Sequence, residues 1–207
     1  MKKEALLIFQ KNPVKGKVKS RLAVTMGEDA ALEIYQFLVE QTFKAVNGID
    51  QDVLVFYSDF IPEDHHNPNQ VMKIQWGNDL GEKMKNAFEK AFFLGYHKVV
   101  IIGTDCPDLT SELLSQSFEQ LDRTDLVIGP AEDGGYYLLG MKSTYPFLFE
   151  NIEWSTSQVF SQTLEAAKKN NLSLGQLPVL HDIDMEEDWR RFITQHPSYG
   201  NLPGYHH

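Results

Sequence analysis

The chain has 207 residues, 42% of them hydrophobic, enough for one globular domain that buries about 70% of its unfolded surface without disulfide or metal staples. Its formal net charge of -10 excludes broad binding to nucleic acid, which needs clustered Lys and Arg to neutralise phosphates. The single cysteine, Cys106, excludes an internal disulfide and points to a reducing, cytoplasmic setting; no run approaches the roughly 20 apolar residues of a membrane span, and no charged leader with an apolar stretch precedes Leu6.

Strand-like and helix-like segments alternate from end to end, the pattern of an α/β domain with a mainly parallel sheet. Ala5 to Gln10 reads as the first strand, and Lys11 to Leu22 as a basic loop after it. Residues 1 to 25 hold seven Lys and Arg against Glu4 alone, while the rest of the chain is acidic. That island suits a compact anion such as a nucleotide diphosphate, and a solvated basic loop is its plain alternative. A helix from about Gly27 to Val46 repeats Ala31, Ile34, Tyr35, Leu38, Thr42 and Ala45 on one face, with Thr25 and Glu28 at capping-box spacing.

Asp52 to Ser58 and Val71 to Trp76 read as strands, separated by a loop rich in Pro, Asn and charge in which His65 and His66 face solvent. Leu80, Met84, Ala87, Phe88 and Ala91 mark a helix before the strand that begins at Val99, and Ser111 to Leu121 a helix after it. A strand beginning at Asp125 and another over Gly135 to Met141 follow. Trp154, Ser155, Gln158 and Val159 form a staple and capping box for a helix running to about Lys169. Leu174 to Leu180 reads as a last strand and Glu186 to Gln195 as a last helix, with a peripheral tail from about residue 196. No repeat or long linker divides residues 1 to 207 into two domains.

Two of the apolar runs end on loops that carry an acid: VVIIGTDCP ends with Asp105, and DLVIGPAEDGG with Asp133. Strands buried on both faces read as unbroken apolar runs, and ligands bind beyond their carboxyl ends. Two acids at such an edge are a seat for Mg²⁺ or Mn²⁺, which takes one or two carboxylates and completes its shell with water and substrate phosphates. Phosphate chemistry is the expectation. The basic loop lacks the Walker pattern and any G-x-G-x-x-G, which argues against an ordinary ATPase or a nicotinamide enzyme. Gly16 allows close backbone approach and Lys17 and Arg21 can clamp a diphosphate, whereas Lys15 and Lys19 read as solvated.

Each acid has a structural rival. Asp105 can cap the turn into Pro107, and Asp133 can be a turn acid before Gly134 and Gly135. Asp182 and Asp184 alternate on an extended segment, so at least one is expected to be structural. Asp79 either orders the nucleotide side of the cleft or serves as a helix N-cap. Cys106 reads as a small buried hydrophobe, and of Tyr136 and Tyr137 one faces the cleft and the other the core.

FQKNPVKGKVKSRLA, QWGNDLGEKM, GTDCPDL, GPAEDGGYYLLG, WST and HDIDMEEDW occur in the order and spacing of a small bacterial glycosyltransferase-A-like family, formerly a domain of unknown function and associated with arsenosugar biosynthesis and radical-SAM chemistry. The resemblance runs from Leu6 to about Trp189, and the family is similar to molybdenum-cofactor and 2-phospholactate nucleotidyltransferases. It implies a single-domain, Rossmann-like nucleotide-diphospho-sugar transferase fold over residues 1 to 207, with a mainly parallel sheet flanked by helices. It implies Lys11, Gly16, Lys17 and Arg21 at the nucleotide and phosphates, Asp105 as the metal aspartate, Asp133 toward sugar or acceptor, and Asp184 completing the Mg²⁺ or Mn²⁺ site. DIDM stands where relatives more often read DIDT, which leaves the local cap and the aim of Asp184 open.

The expected activity is a metal-dependent transfer from a nucleotide sugar to a small-molecule acceptor, with no nucleic acid partner. The alternative is a nucleotidyltransferase that joins a nucleoside triphosphate to a phosphorylated acceptor. A third reading is a nucleotide-binding regulator without turnover.

Overall fold

The computed structural model describes residues 3–63, 70–199 and 202–203; His65 and His66 lie outside them. Seven strands form one sheet: β1 (Lys3–Gln10), β2 (Asp52–Tyr57), β3 (Gln70–Ile74), β4 (Tyr96–Ile102), β5 (Leu126–Pro130), β6 (Tyr136–Met141) and β7 (Leu174–Gln176). Their order is β3-β2-β1-β4-β6-β5-β7. β6 is antiparallel to both β4 and β5, and every other pairing is parallel. Because β6 turns back, β5 runs in the same direction as β4, and the loops after β1, β4, β5 and β7 all emerge at one edge.

Alternation along the strands divides the interior in two. Leu6, Ile8, Val100 and Ile102 face one side, where they meet Leu114 and Phe118 of α4 (Ser111–Gln120). Ala5, Leu7, Val99 and Ile101 face the other, against Met84 and Phe88 of α3 (Leu80–Phe93) and Ala167 of α5 (Val159–Lys169). A third cluster joins Leu22 of α1 (Ser20–Met26), Ile34, Phe37 and Leu38 of α2 (Glu28–Val46) and Trp189, Phe192 and Ile193 of α6 (Glu186–Gln195).

Five local expectations are corrected. The helix expected from about Gly27 to Val46 is α2, but the basic loop expected to run to Leu22 ends at Lys19, before α1 begins at Ser20; Gly27, at φ 86, separates the two helices. Thr25 bonds back to the Leu22 carbonyl, so the Thr25/Glu28 capping box does not form. α5 starts at Val159 with no side-chain cap; Thr156 instead closes its own turn by accepting from Gln158 N–H, and Trp154 packs on Phe149. The last strand stops at Gln176, with an isolated bridge from Leu180 to Ala131. Of the tail expected to be peripheral, the described residues 197–199 and 202–203 are held to the body: the Trp189 indole donates to the Pro203 carbonyl at 2.7 Å, and Tyr199 packs edge-on against Phe37. Among the described residues no helix is long and apolar enough to cross a membrane.

Candidate active site

The loops at the shared strand edge are tied together by buried polar groups that the hydrophobic pattern does not reveal. Tyr35 of α2 accepts from Lys11 N–H at 2.9 Å, donates to the Lys11 carbonyl at 3.0 Å, and bonds the Thr104 hydroxyl at 3.3 Å. A single phenol thereby joins the loop after β1 to the residue before Asp105. Burial is the main cause that pushes the Tyr35 hydroxyl up to about 12, so it stays a neutral donor. Asn12, also buried, accepts from Asp59 and Phe60 N–H at 2.9 and 3.2 Å and donates to the Phe60 carbonyl at 2.8 Å. It fixes the β1 loop to the β2 loop. The signal for both residues was a polar atom at a position the fold buries, since such atoms must find partners.

The basic loop turns at Gly16, where φ is +76 and an added Cβ would lie 3.3 Å from the Glu28 carboxylate. Lys11, Lys17 and Arg21 are exposed, and their side chains have no ion-pair partner among the described residues. Lys15 instead pairs with Asp29 at 2.5 Å. Lys19 is the main departure from expectation: its side chain is only 5% exposed. Its ammonium contacts Asp105 Oδ1 and lies 3.0 Å from Asp184 Oδ1. Burial works against the charged form, but the two carboxylates outweigh it and hold Lys19 protonated above the ordinary lysine range.

Asp105 therefore engages Lys19 rather than capping the turn into Pro107. Asp184 is aimed by Asp188, whose Oδ2 accepts from Asp184 and Met185 N–H at 3.1 and 2.8 Å and so opens α6. Asp188 supplies the cap that the DIDM variation left open. The segment is docked by Ile183 N–H, which donates to the Asp105 carbonyl at 3.0 Å. Asp182 points the other way and accepts from the buried Cys106 thiol. Burial first, then the charges of Asp105 and Asp133, push the Asp182 carboxyl up to about 7, and burial raises the Cys106 thiol well above its usual value. Cys106 is thus an inert, buried thiol.

Asp133 accepts from Gly135 N–H at 2.8 Å, so the turn role holds. The side chain remains exposed beside the 180s segment, where Glu132 N–H donates to the Leu180 carbonyl at 3.1 Å. Gly134 is pinned: φ is +89, and an added Cβ would lie 2.3 Å from the Ser157 carbonyl. Asp105, Asp182, Gly103 and both Tyr136 and Tyr137 line a cavity of about 70 Å³. Tyr137 is buried and donates to the Pro178 carbonyl at 3.0 Å, while Tyr136 is the more exposed of the two. Asp79 accepts from Glu82 N–H at 2.8 Å as the N-cap of α3, its structural reading.

Among the described residues no group of three or more His, Cys, Asp and Glu side chains is placed to hold a metal ion. Asp105 and Asp184 alone converge, through Lys19, and their side chains are 48% and 42% exposed. Two half-exposed carboxylates fit a hard divalent ion that draws its remaining ligands from water and phosphate.

Comparison with known proteins agrees with this architecture. No curated protein matches the chain significantly. A Desulfovibrio desulfuricans G20 protein, provisionally assigned as a nucleotide-diphospho-sugar transferase, is 33% identical; the match covers 99% of this chain and 93% of that one, with a TM-score of 0.86. A cytidylyltransferase from Leptospira borgpetersenii shares 13% identity over 99% of this chain and 98% of its own, with a TM-score of 0.54. Rv0371C of Mycobacterium tuberculosis, in complex with manganese, shares 12% identity over 94% of this chain and 100% of its own, with a TM-score of 0.54. These last two share the fold. The model of a family described as an uncharacterized protein conserved in bacteria, DUF2064, matches residues 42–156, and with the Desulfovibrio relative this shows that the chain belongs to that family.

Proposed function

We propose that this protein is a metal-dependent transferase that uses a nucleotide-activated sugar as donor and a small molecule as acceptor. The observation that carries the reading is the Asp105–Lys19–Asp184 cluster, which ties the basic segment after β1 to the acid loops at one strand edge. Lys11, Lys17, Arg21 and the Gly16 turn bind the nucleotide diphosphate, with Arg21 suited to a bidentate grip on phosphate oxygens. Asp105 and Asp184 hold Mg²⁺ or Mn²⁺, which supplies electrophilic stabilisation of the charge developing on the departing diphosphate. Asp133, exposed on the loop after β5, orients the acceptor hydroxyl or takes its proton. The assignment of the Desulfovibrio relative supports this donor class. A place among arsenosugar and radical-SAM-associated enzymes, and a cytoplasmic location, belong to the same proposal.

The test is product analysis with Mn²⁺ and a panel of nucleotide sugars and nucleoside triphosphates. Free nucleoside diphosphate released from one nucleotide sugar, with a glycosylated acceptor, supports the reading. Pyrophosphate released from a triphosphate assigns the site to nucleotidyl transfer instead, and tight nucleotide binding with no product from either class makes it a regulator.

A further inference from the structure

We infer that Lys19 is a resident cation that braces Asp105 and Asp184 and keeps a divalent ion out of the free protein until a diphosphate arrives. The inference rests on the metal-dependent reading above and adds the order in which the ligands load.

Four lysines lie on the β1 loop, at positions 11, 15, 17 and 19. Three of them, Lys11, Lys15 and Lys17, are exposed. Lys19 alone turns inward, and it does so from a left-handed backbone conformation, φ 47 and ψ 46, that a lysine adopts only when its surroundings hold it there. Its side chain is nearly shut off from solvent, whereas the two carboxylates it holds are about half exposed. The amine therefore lies beneath the acids, on the protein side. Both contacts use Oδ1, and the Oδ2 atoms of Asp105 and Asp184 take no hydrogen bond among the described residues. The pair is preformed, with solvent-accessible carboxylates.

The arrangement has an electrostatic consequence. Two carboxylates with one ammonium carry a net charge of about -1 rather than -2, and no third protein ligand converges on them among the described residues. A divalent ion entering alone meets a weak field and the repulsion of a fixed positive charge. A bound diphosphate reverses this, since it brings negative charge and two or more oxygen ligands at once. At a separation of about 5 Å, even bulk-water screening leaves the effect of one unit charge on a divalent ion at about tenfold or more in affinity.

The experiment measures Mn²⁺ binding to the full chain by the loss of the free-ion EPR signal, without nucleotide and with ADP, GDP, CDP or UDP. Wild type, Lys19→Met and Lys19→Gln are compared, with Asp105→Asn as the variant that removes a ligand. A thermal melt of each checks folding, and the polar Gln variant serves if the Met variant fails to fold. The expected result is weak Mn²⁺ binding by wild type alone, recruitment by at least one nucleoside diphosphate, and Mn²⁺ binding by the Lys19 variants without nucleotide at least about tenfold tighter than wild type. Nucleotide-dependent recruitment in all proteins, with the Lys19 variants no tighter than wild type on Mn²⁺ alone, overturns the role of Lys19 and leaves the metal-dependent reading intact. Binding of Mn²⁺ by no protein under any condition, or binding that Asp105→Asn does not weaken, overturns both.

Discussion

Replacing Tyr35 by Phe removes one oxygen atom from the point where the basic loop after β1 and the Asp105 loop meet. The ring stays, so no large cavity opens, and the change isolates the hydrogen bonds. Three are lost, to Lys11 N–H, the Lys11 carbonyl and the Thr104 hydroxyl. Each is worth about 0.5 to 1.5 kcal/mol net. Water can reach the exposed Lys11 but not the buried Thr104, so the total should fall near 2 kcal/mol rather than at the upper sum. For a chain of this size that is a fall of about 4 to 8 °C in melting temperature. Urea denaturation of wild type, Tyr35→Phe, Thr104→Val and the double variant gives the coupling between the two hydroxyls, expected at about 0.5 kcal/mol or more. Nucleotide affinity should fall as well, because the β1 loop loses its tie to the Asp105 loop. A stability loss under about 0.5 kcal/mol, with zero coupling and unchanged nucleotide affinity, would refute the claim that this phenol holds the site together.

Other outcomes are open to direct measurement. Asp105→Asn should abolish turnover with a nucleotide sugar while leaving the far-UV circular dichroism spectrum unchanged, because Asp105 is half exposed and makes its one ion pair at the site. Trp189→Ala removes a fully buried ring packed between Phe37 and Phe192, and should cost about 3 to 5 kcal/mol in denaturant titrations. Gly81→Ala forces a methyl to 2.2 Å from the Trp154 indole and should lower stability by about 1 to 3 kcal/mol through overpacking. Asp125 is held below the ordinary carboxylate range by the Ser173 hydroxyl and N–H. A carboxyl depressed in the folded state contributes stability above its unfolded pKa and loses it as pH falls through the folded value. Ser173→Ala should therefore destabilise at neutral pH, and the gap from wild type should close on acidification; a gap that widens in acid contradicts the assignment.

The layers of this fold were legible in the sequence because periodicity reports burial directly. Val99 to Ile102 and Leu126 to Ile128 read as strands since every residue in them is buried, and the 3.6-residue repeat of α2 and α3 survives intact. Tertiary direction was less visible. Nothing in GGYYLLGM says that β6 runs antiparallel to both of its neighbours, yet that reversal is what sends the Asp133 loop to the same edge as Asp105. The candidate acids stood out because a charged residue at the end of an apolar run is conspicuous. Their partner was not, because Lys19 is one of several lysines in a basic stretch and local pattern does not separate the inward one from its exposed neighbours. Asp188 escaped for a similar reason: an acid among Glu186 and Glu187 reads as ordinary helix-start composition until its two backbone contacts are seen.

Helix α2 carries more than one burden. Through Tyr35 it grips the loop after β1 and Thr104; through Ile34, Phe37 and Leu38 it beds against α6, whose first turn aims Asp184. The basic loop after β1 and the carboxylates of Asp105 and Asp184 thus hang from one rod. Loosening its far flank, at Phe37 or Trp189, shifts both sides together, and a lesion far from any ligand can blunt turnover while every residue of the cleft is still present.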